Sequence, residues 1–86
     1  MQLYLNSNSV MKTFLYVLRN QPKNVKETRN DEGWVDIQPV LKILRVNHPE
    51  QKYITAFDIK HMITTDIKKR ANISKDLKRV RLEVKM

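Results

Sequence analysis

Apolar side chains recur at helical spacing in three separate stretches of this chain. The first stretch predicts a helix from Val10 to about Asn20, with Ser9 placed to cap it. Pro22 ends this helix, because the residue before a proline, Gln21, avoids the α region. The apolar positions form one face at i, i+4, i+7 and i+8, widened by two neighbours: Val10, Phe14, Val17 and Leu18, with Met11 and Leu15.

The second helix is predicted after a polar loop, Lys23 to Glu32, and a very short strand, Trp34 to Asp36. Asp36 is expected to cap this helix, which continues to about Val46, and Pro39 is tolerated in its first turn. The apolar positions of this helix are four: Val40, Leu41 and Leu44 as a core stripe, with Ile43 beside them.

The third helix is predicted from Ala56 to about Thr65, after a turn at Asn47 to Glu50. Thr55 and Asp58 have the spacing of a capping box, with Asp in place of the usual Glu. The inward positions are Ile59, Met62 and Ile63, together with Phe57 or Ala56. The outer positions are Lys60, His61 and Thr64.

Two strands complete the pattern, at Ala71 to Ser74 and Val80 to Val84, and the polar segment Lys75 to Arg79 joins them as a hairpin loop, or wing. Residues 1–8 are interpreted as an edge strand or a frayed end. The order predicts an α+β fold of the winged-helix type, with three helices, a small antiparallel sheet and a C-terminal β-hairpin wing. We expect a single domain over residues 1–86.

The only glycine, Gly33, directly precedes the only tryptophan, Trp34. One glycine in 86 residues indicates a turn that needs a positive φ. Trp34 is interpreted as a core anchor in preference to a platform for stacking bases.

The composition indicates an intracellular protein, cytoplasmic or, in a eukaryote, nuclear. Cysteine is absent, no apolar run is long enough to span a membrane, and the start does not resemble a secretory signal. His48 and His61 alone do not make a metal site. Since no carboxylate pair, nucleophile motif or glycine-rich phosphate loop occurs, we expect no enzyme activity, no metal and no cofactor.

Positive charge is concentrated near the C-terminus. The chain has a net charge of +8, and residues 68–86 hold eight basic and two acidic residues, whereas residues 1–67 hold nine and seven. Such a patch favours a polyanionic partner through counterion release. The alternative is a solvated surface that only aids solubility.

Four segments together resemble the N-terminal lobe of the RNA 2'-phosphotransferases, enzymes that remove a splice-junction 2'-phosphate from tRNA using NAD. The segments are Leu18-Arg19-Asn20-Gln21-Pro22, Asp31-Glu32-Gly33-Trp34-Val35-Asp36-Ile37, Asp66-Ile67-Lys68-Lys69-Arg70 and Ser74 to Arg81. The resemblance implies a winged-helix fold and a connection with RNA. By this resemblance, Arg19 corresponds to a family arginine that helps to hold the RNA phosphate. Arg81 corresponds to a family arginine on the strand that follows the wing. Two features depart from the family: its catalytic-site His is Asn20 here, and the chain stops at Met86, before the NAD-binding lobe.

The candidate nucleic-acid-binding residues form three groups. The third helix supplies Lys60, His61 and Thr64, because the last helix of a helix-turn-helix enters the groove. The wing supplies Lys75, Lys78 and Arg79. The resemblance adds Arg19, Lys68, Lys69, Arg70 and Arg81, although neighbouring residues in a strand would point to opposite faces. Arg19 is equally explained as a surface residue that interacts with the helix dipole.

Three functions remain open from the sequence. The first is a non-catalytic module that grips backbone phosphate, with RNA favoured over DNA. The second is an adaptor or inhibitor that docks on an acidic protein surface, for example one carried by a virus or mobile element. The third is one half of a split RNA 2'-phosphotransferase.

Overall fold

The computed structural model describes residues 7–83 of the chain, with side chains from Ser9 onward. The elements run in the order α1 (Ser7–Asn20), α2 (Lys23–Lys26), β1 (Val35–Asp36), α3 (Ile37–Asn47), a 3-10 turn (Pro49–Gln51), α4 (Ala56–Thr65), β2 (Ala71–Ile73) and β3 (Arg79–Leu82). The fold is α+β, with helices beside a small antiparallel sheet, and is compatible with the predicted winged-helix arrangement.

The apolar faces predicted for the helices meet in one core. All six apolar positions predicted for α1 are buried, and Phe14 is fully enclosed. The core stripe of α3 is buried as predicted, with Ile43 partly buried at its edge. The sheet closes the core from the other side through Val35, Ala71 and Val80.

β3 is the central strand of the sheet, between β1 and β2, and pairs with both in antiparallel register. Val80 lies opposite Val35 on one side and Ile73 on the other. Since side chains alternate along a strand, the buried Val80 places Arg79 and Arg81 on the opposite, outer face of the sheet. On this outer face, Arg79 is exposed and Arg81 is half-buried.

The beginning of α1 and the segment after it differ from the prediction. α1 begins at Ser7 and not after Ser9, whose backbone carbonyl accepts a hydrogen bond from the hydroxyl of Thr13 at 3.3 Å. Ser7, Asn8 and Ser9 are all residues that favour caps, so the local pattern did not distinguish them. The segment predicted as a loop from Lys23 contains α2, which one buried residue, Val25, attaches to the core.

The capping box at the start of α4 is confirmed, and the helix has the predicted bounds. The backbone N–H of Thr55 donates to Asp58 Oδ2 at 2.8 Å. Ala56 packs against the core, whereas Phe57 is 71% exposed, so Ala56 is the inward residue of the predicted pair. Asp36 is the N-cap residue of α3, but its side chain makes no capping hydrogen bond.

The strands are shorter than predicted. β1 lacks Trp34 and β2 ends at Ile73. β3 begins one residue earlier than predicted, at Arg79, but already ends at Leu82. Val84 and most of the segment 1–8 lie outside the described residues; Ser7 and Asn8 belong to α1. Among the helices that the structure describes, none has the length and apolar character needed to cross a membrane.

Candidate nucleic-acid interface

A rigid turn precedes β1 and shapes the surface beside it. Gly33 adopts a φ of +89°, the positive value predicted for the single glycine of the chain. The side-chain oxygen of Asn30 accepts hydrogen bonds from the backbone N–H groups of Glu32 at 2.9 Å and Trp34 at 3.0 Å. Because these bonds satisfy the turn internally, its backbone is held in place before any ligand binds.

Arg81 is fixed against this turn from the outer face of β3. Its Cζ lies 4.3 Å from the ring centroid of Trp34, and its Nη1 donates to the backbone oxygen of Glu32 at 2.8 Å. Trp34 is half-buried and outside the enclosed core, so the expectation of a core anchor is wrong. The ring instead supports the guanidinium, which keeps further N–H donors for a ligand.

A cavity of about 160 Å³ lies beside Arg81 and is lined by a second guanidinium, that of Arg29. Arg29 Nη1 lies 3.4 Å from Gln21 Oε1, and Gln21 also lines the cavity. Gln21 has a φ of +43°, in the left-handed region that costs a side-chain-bearing residue energy. The lining holds two arginines and one acidic residue, Glu32. Two guanidinium groups can bind phosphate oxygens through parallel hydrogen bonds.

Sequence reasoning missed Arg29 because it assigned the residue to a polar loop. The only signal was its position four residues before Gly33, in the turn that precedes β1. Arg19 is exposed in the last turn of α1, one residue past Leu18, which lines the cavity. The cavity therefore adds Arg29 to the predicted Arg81, while Arg19 stays a predicted contact.

Asn20 lines a different cavity, of about 310 Å³, between α1 and α3. Its side-chain nitrogen donates to the backbone oxygen of Tyr16 at 3.0 Å. The amide therefore satisfies a backbone carbonyl in the last turn of its own helix, α1. As an amide, it carries neither charge nor a proton that titrates near neutrality.

The wing tip, Ser74–Arg79, is a turn organised by two small polar side chains. Asp76 accepts hydrogen bonds from the Ser74 hydroxyl at 2.6 Å and from the Lys78 backbone N–H at 3.0 Å. The Ser74 hydroxyl bond, followed by that from Lys78, lowers the pKa of Asp76 below its usual range. Lys75, Lys78 and Arg79 are exposed around it, three cations against one carboxylate.

The segment Lys68-Lys69-Arg70 lies at the opposite end of the hairpin from the wing tip. It is a turn and not a strand, with Lys69 at a φ of +51°, so strand alternation does not apply to it. Arg70 is bound to Asp66, with Nη2 3.1 Å from Oδ1. Hydrogen bonds from the Arg70 side chain lower the pKa of Asp66 to about 2. Arg70 therefore has a structural partner within the protein.

The predicted residues of α4 share one exposed face. Lys60, His61 and Thr64 are all exposed, and the Thr64 hydroxyl donates to the Lys60 backbone oxygen at 2.7 Å. Lys69 Nζ lies 3.4 Å from the Thr64 backbone oxygen, at the C-terminal end of the same helix. None of these residues lines the cavity of Arg29 and Arg81, so the predicted residues form more than one surface.

The two histidines have different environments. His48 is buried, with Nε2 2.8 Å from the Thr13 hydroxyl and Nδ1 3.9 Å from Glu50. It ties α1 to the end of α3. His61 is exposed on α4. Within residues 7–83, no three His, Asp or Glu side chains are grouped so as to hold a metal ion.

Comparison with known proteins identifies the family. The model of the RNA 2'-phosphotransferase, Tpt1 / KptA family matches residues 6–85, a range that contains every helix and strand described above. No curated protein matches the chain. The family match confirms the resemblance inferred from the segments around Arg19 and Gly33. The chain belongs to the Tpt1 / KptA family of RNA 2'-phosphotransferases.

Proposed function

We propose that this chain binds RNA by its backbone phosphates, through the wing tip and the neighbouring cavity of Arg29 and Arg81, and does not itself carry out the family's reaction. RNA is favoured over DNA because the family acts on RNA. The partner would be recognised by charge and shape more than by base sequence.

The observation that carries the proposal is the wing tip. Lys75, Lys78 and Arg79 are exposed and, within the described part of the chain, make no ion pair, in contrast to Arg70. The turn that presents them is already ordered by Ser74 and Asp76. Binding of a phosphate backbone therefore needs little further ordering of the loop.

The cavity supports the proposal with a second set of donors. Arg81 is two residues beyond Arg79 on the same face of β3, about 7 Å along the strand. A backbone that contacts the wing tip thus has Arg81 within reach of a neighbouring phosphate. Contacts to several phosphates make binding strongly dependent on salt.

Fluorescence anisotropy at low and moderate salt tests the proposal, with a structured tRNA, a single-stranded RNA and a duplex DNA as ligands. The double variant Lys78→Glu, Arg79→Glu is expected to weaken RNA binding by at least about tenfold and to flatten the salt dependence. The control, Lys12→Glu with Lys42→Glu, makes the same change in net charge on exposed positions of α1 and α3.

Equal loss of binding in both double variants would show that only net charge matters and would contradict a specific wing contact. Wild type that binds none of the three ligands would contradict the proposal as a whole. If this chain then captured an acidic protein, and the capture persisted after nuclease treatment, the adaptor alternative would be supported.

A second candidate function is participation in RNA 2'-phosphate removal together with a second chain that binds the NAD. Family membership favours it. The described residues offer no glycine-rich loop of the kind that cradles dinucleotide phosphates, since Gly33 is their only glycine. Asn20 also lacks the titratable group of the family's His. Release of 2'-phosphate from tRNA on addition of NAD and a partner chain would support this candidate over the first.

A further inference from the structure

Two aromatic side chains near the start of α4 are strongly exposed. Tyr53 is 80% and Phe57 71% exposed, and the sequence pattern had allowed Phe57 a place in the core. Leaving such rings in water gives up the favourable free energy of burying them. Exposed apolar patches often mark a binding surface, and these two rings are four residues apart, on either side of the capped start of α4.

The start of α4 fixes the direction of Phe57. The capping box of Thr55 and Asp58 sets the first turn, and Ile59 is fully buried. With that register, Phe57 shares the exposed face with the residues three, four and seven positions later: Lys60, His61 and Thr64. The α4 outer face, defined as Phe57, Lys60, His61 and Thr64, therefore combines a ring with cationic and polar groups.

The turn before α4 is also held firmly. Arg45 donates two hydrogen bonds to the backbone oxygen of Ile54, at 2.7 and 3.3 Å, and Ile54 is buried. Tyr53, next to it, is exposed, and Lys52 Nζ lies 5.3 Å from its ring centroid. Just before α4 there is therefore a second exposed ring, that of Tyr53, with the Lys52 ammonium next to it.

Of the two nearby carboxylates, Asp58 is held by the capping box and Glu50 is largely exposed. Asp58 Oδ2 accepts hydrogen bonds from the N–H and the hydroxyl of Thr55, at 2.8 and 3.2 Å. Glu50 Oε2 lies 3.9 Å from the His48 ring nitrogen. Lys52 is exposed against the ring of Tyr53, and Lys60 is exposed one helical turn after Phe57. The surface thus suits a ligand that is both anionic and aromatic.

We propose that Phe57 and Tyr53 stack the unpaired bases of a single-stranded RNA segment, while Lys52 and Lys60 contact the phosphates of the same segment. The inference rests on the proposed RNA binding and adds a second surface to it. Each nucleotide supplies a flat ring and a phosphate together, which matches rings and cations side by side. Bases paired within a duplex do not present their faces, so a single strand is the expected ligand.

The test measures binding of a short single-stranded RNA by fluorescence anisotropy. Phe57→Ala is expected to weaken binding by about 5- to 100-fold, with the slope of log affinity against log salt unchanged because no charge is removed. Phe57→Tyr keeps a ring and retains binding, whereas Phe57→Leu keeps apolar area and loses it. Tyr16→Ala, which removes a 56% exposed ring from α1, is the matched control and leaves affinity unchanged.

Abasic sites in the RNA provide a second measurement. They remove bases and keep phosphates, so they weaken binding by the wild type. Their effect on Phe57→Ala is smaller, since the stacking contact is already lost in that variant. Circular dichroism checks that the variant keeps its helical content, as truncation of an exposed side chain should allow.

Three results would overturn the inference. If Phe57→Ala binds as tightly as the wild type while the wing double variant is weakened, RNA binding stands without the α4 outer face. If the wild type shows no salt-sensitive RNA binding, the proposed function and this inference both fall. If Phe57→Ala abolishes a dimer seen by sedimentation and leaves RNA affinity intact, the face belongs to a second copy of the chain.

Discussion

Arg81 lies over the indole of Trp34, with its Cζ 4.3 Å from the ring centroid, although 46 residues separate the two in the chain. The sheet register brings them together: Val80 pairs with Val35, so the next residue of β3 meets the residue before β1. The Asn30 side chain holds the Trp34 backbone, and the Glu32 carbonyl accepts from Arg81. Arg81 is thereby oriented by the turn and not only by its own strand.

Replacement of Arg81 by Ala is expected to change the emission of Trp34, the only tryptophan, and to weaken RNA binding by about 10- to 100-fold, the range for loss of charge-assisted hydrogen bonds. Arg81→Lys keeps the charge but loses the planar fork and its stacking, so it should recover only part of the affinity. Intrinsic fluorescence and anisotropy measure both effects. Full recovery with Lys would show that charge alone is needed at this position.

Gly33→Ala is expected to lower the free energy of unfolding by about 1–2 kcal/mol, because alanine pays for the left-handed conformation at a φ of +89°. No atom lies within 4 Å of the added Cβ, so the effect is one of backbone conformation and not of a clash. Gly33→Asn should cost less, since asparagine tolerates this region better. Urea unfolding of the variants gives the values, and equal loss with Ala and Asn would contradict this explanation.

The ion pair of Asp66 and Arg70 predicts a loss of stability in acid. The pKa of Asp66 is lowered from 3.8 to about 2, mainly by hydrogen bonds from Arg70. A carboxyl with a lowered folded-state pKa contributes stability above its unfolded pKa, and this contribution disappears as the pH falls through the folded value. The side chain of Arg70 is 41% exposed, so we expect a contribution of about 1 kcal/mol.

Asp66→Asn should therefore be less stable than the wild type at pH 7 by this amount, and the difference should narrow as the pH falls from about 4 to about 2. Urea unfolding at several pH values measures it. Asp31→Asn, at an exposed position in the turn before Gly33, is the control and should show little difference at any pH. A constant gap between Asp66→Asn and the wild type would contradict the ion-pair explanation.

Two positions near the end of α3 allow the effect of core packing on stability to be compared with that of surface composition. Leu44 is fully buried and Val46 is 74% exposed on the same helix. Leu44→Ala should lower the free energy of unfolding by about 2–5 kcal/mol, because it leaves a cavity in the core. Val46→Ala should change it by less than about 0.5 kcal/mol. Thermal unfolding followed by circular dichroism compares them, and similar losses would show that this core relaxes around the smaller side chain.

The sequence predicts those parts of the fold in which local signals agree. For α4, the capping box and the apolar period point to the same bounds, and the structure has those bounds. α2 was missed because one buried residue, Val25, leaves no period to detect. Phe57 was ambiguous for a related reason, since at a helix start the apolar period allows either of two adjacent positions to face the core. In the structure Ala56 packs against the core and Phe57 is exposed.

The candidate site depends on contacts that no local pattern records. The pairing of Arg81 with Trp34 follows from a register between strands distant in sequence. Arg29 joins that site only because the chain turns back through Asn30 and Gly33. Charge counts identified the basic hairpin, but they could not show that Arg70 is bound to Asp66 while Lys78 remains exposed.

The central position of β3 also constrains the order in which the protein can assemble during synthesis. β1 and β2 each pair with β3 and not with each other, and β3 is the last of the three to be made. Among residues 7–83, both earlier strands therefore lack a strand neighbour on the ribosome until Leu82 has left the exit tunnel. The nascent helices can pack α1 against α3 before then, so we expect the arginine-bearing surface of the sheet to be the last part to form.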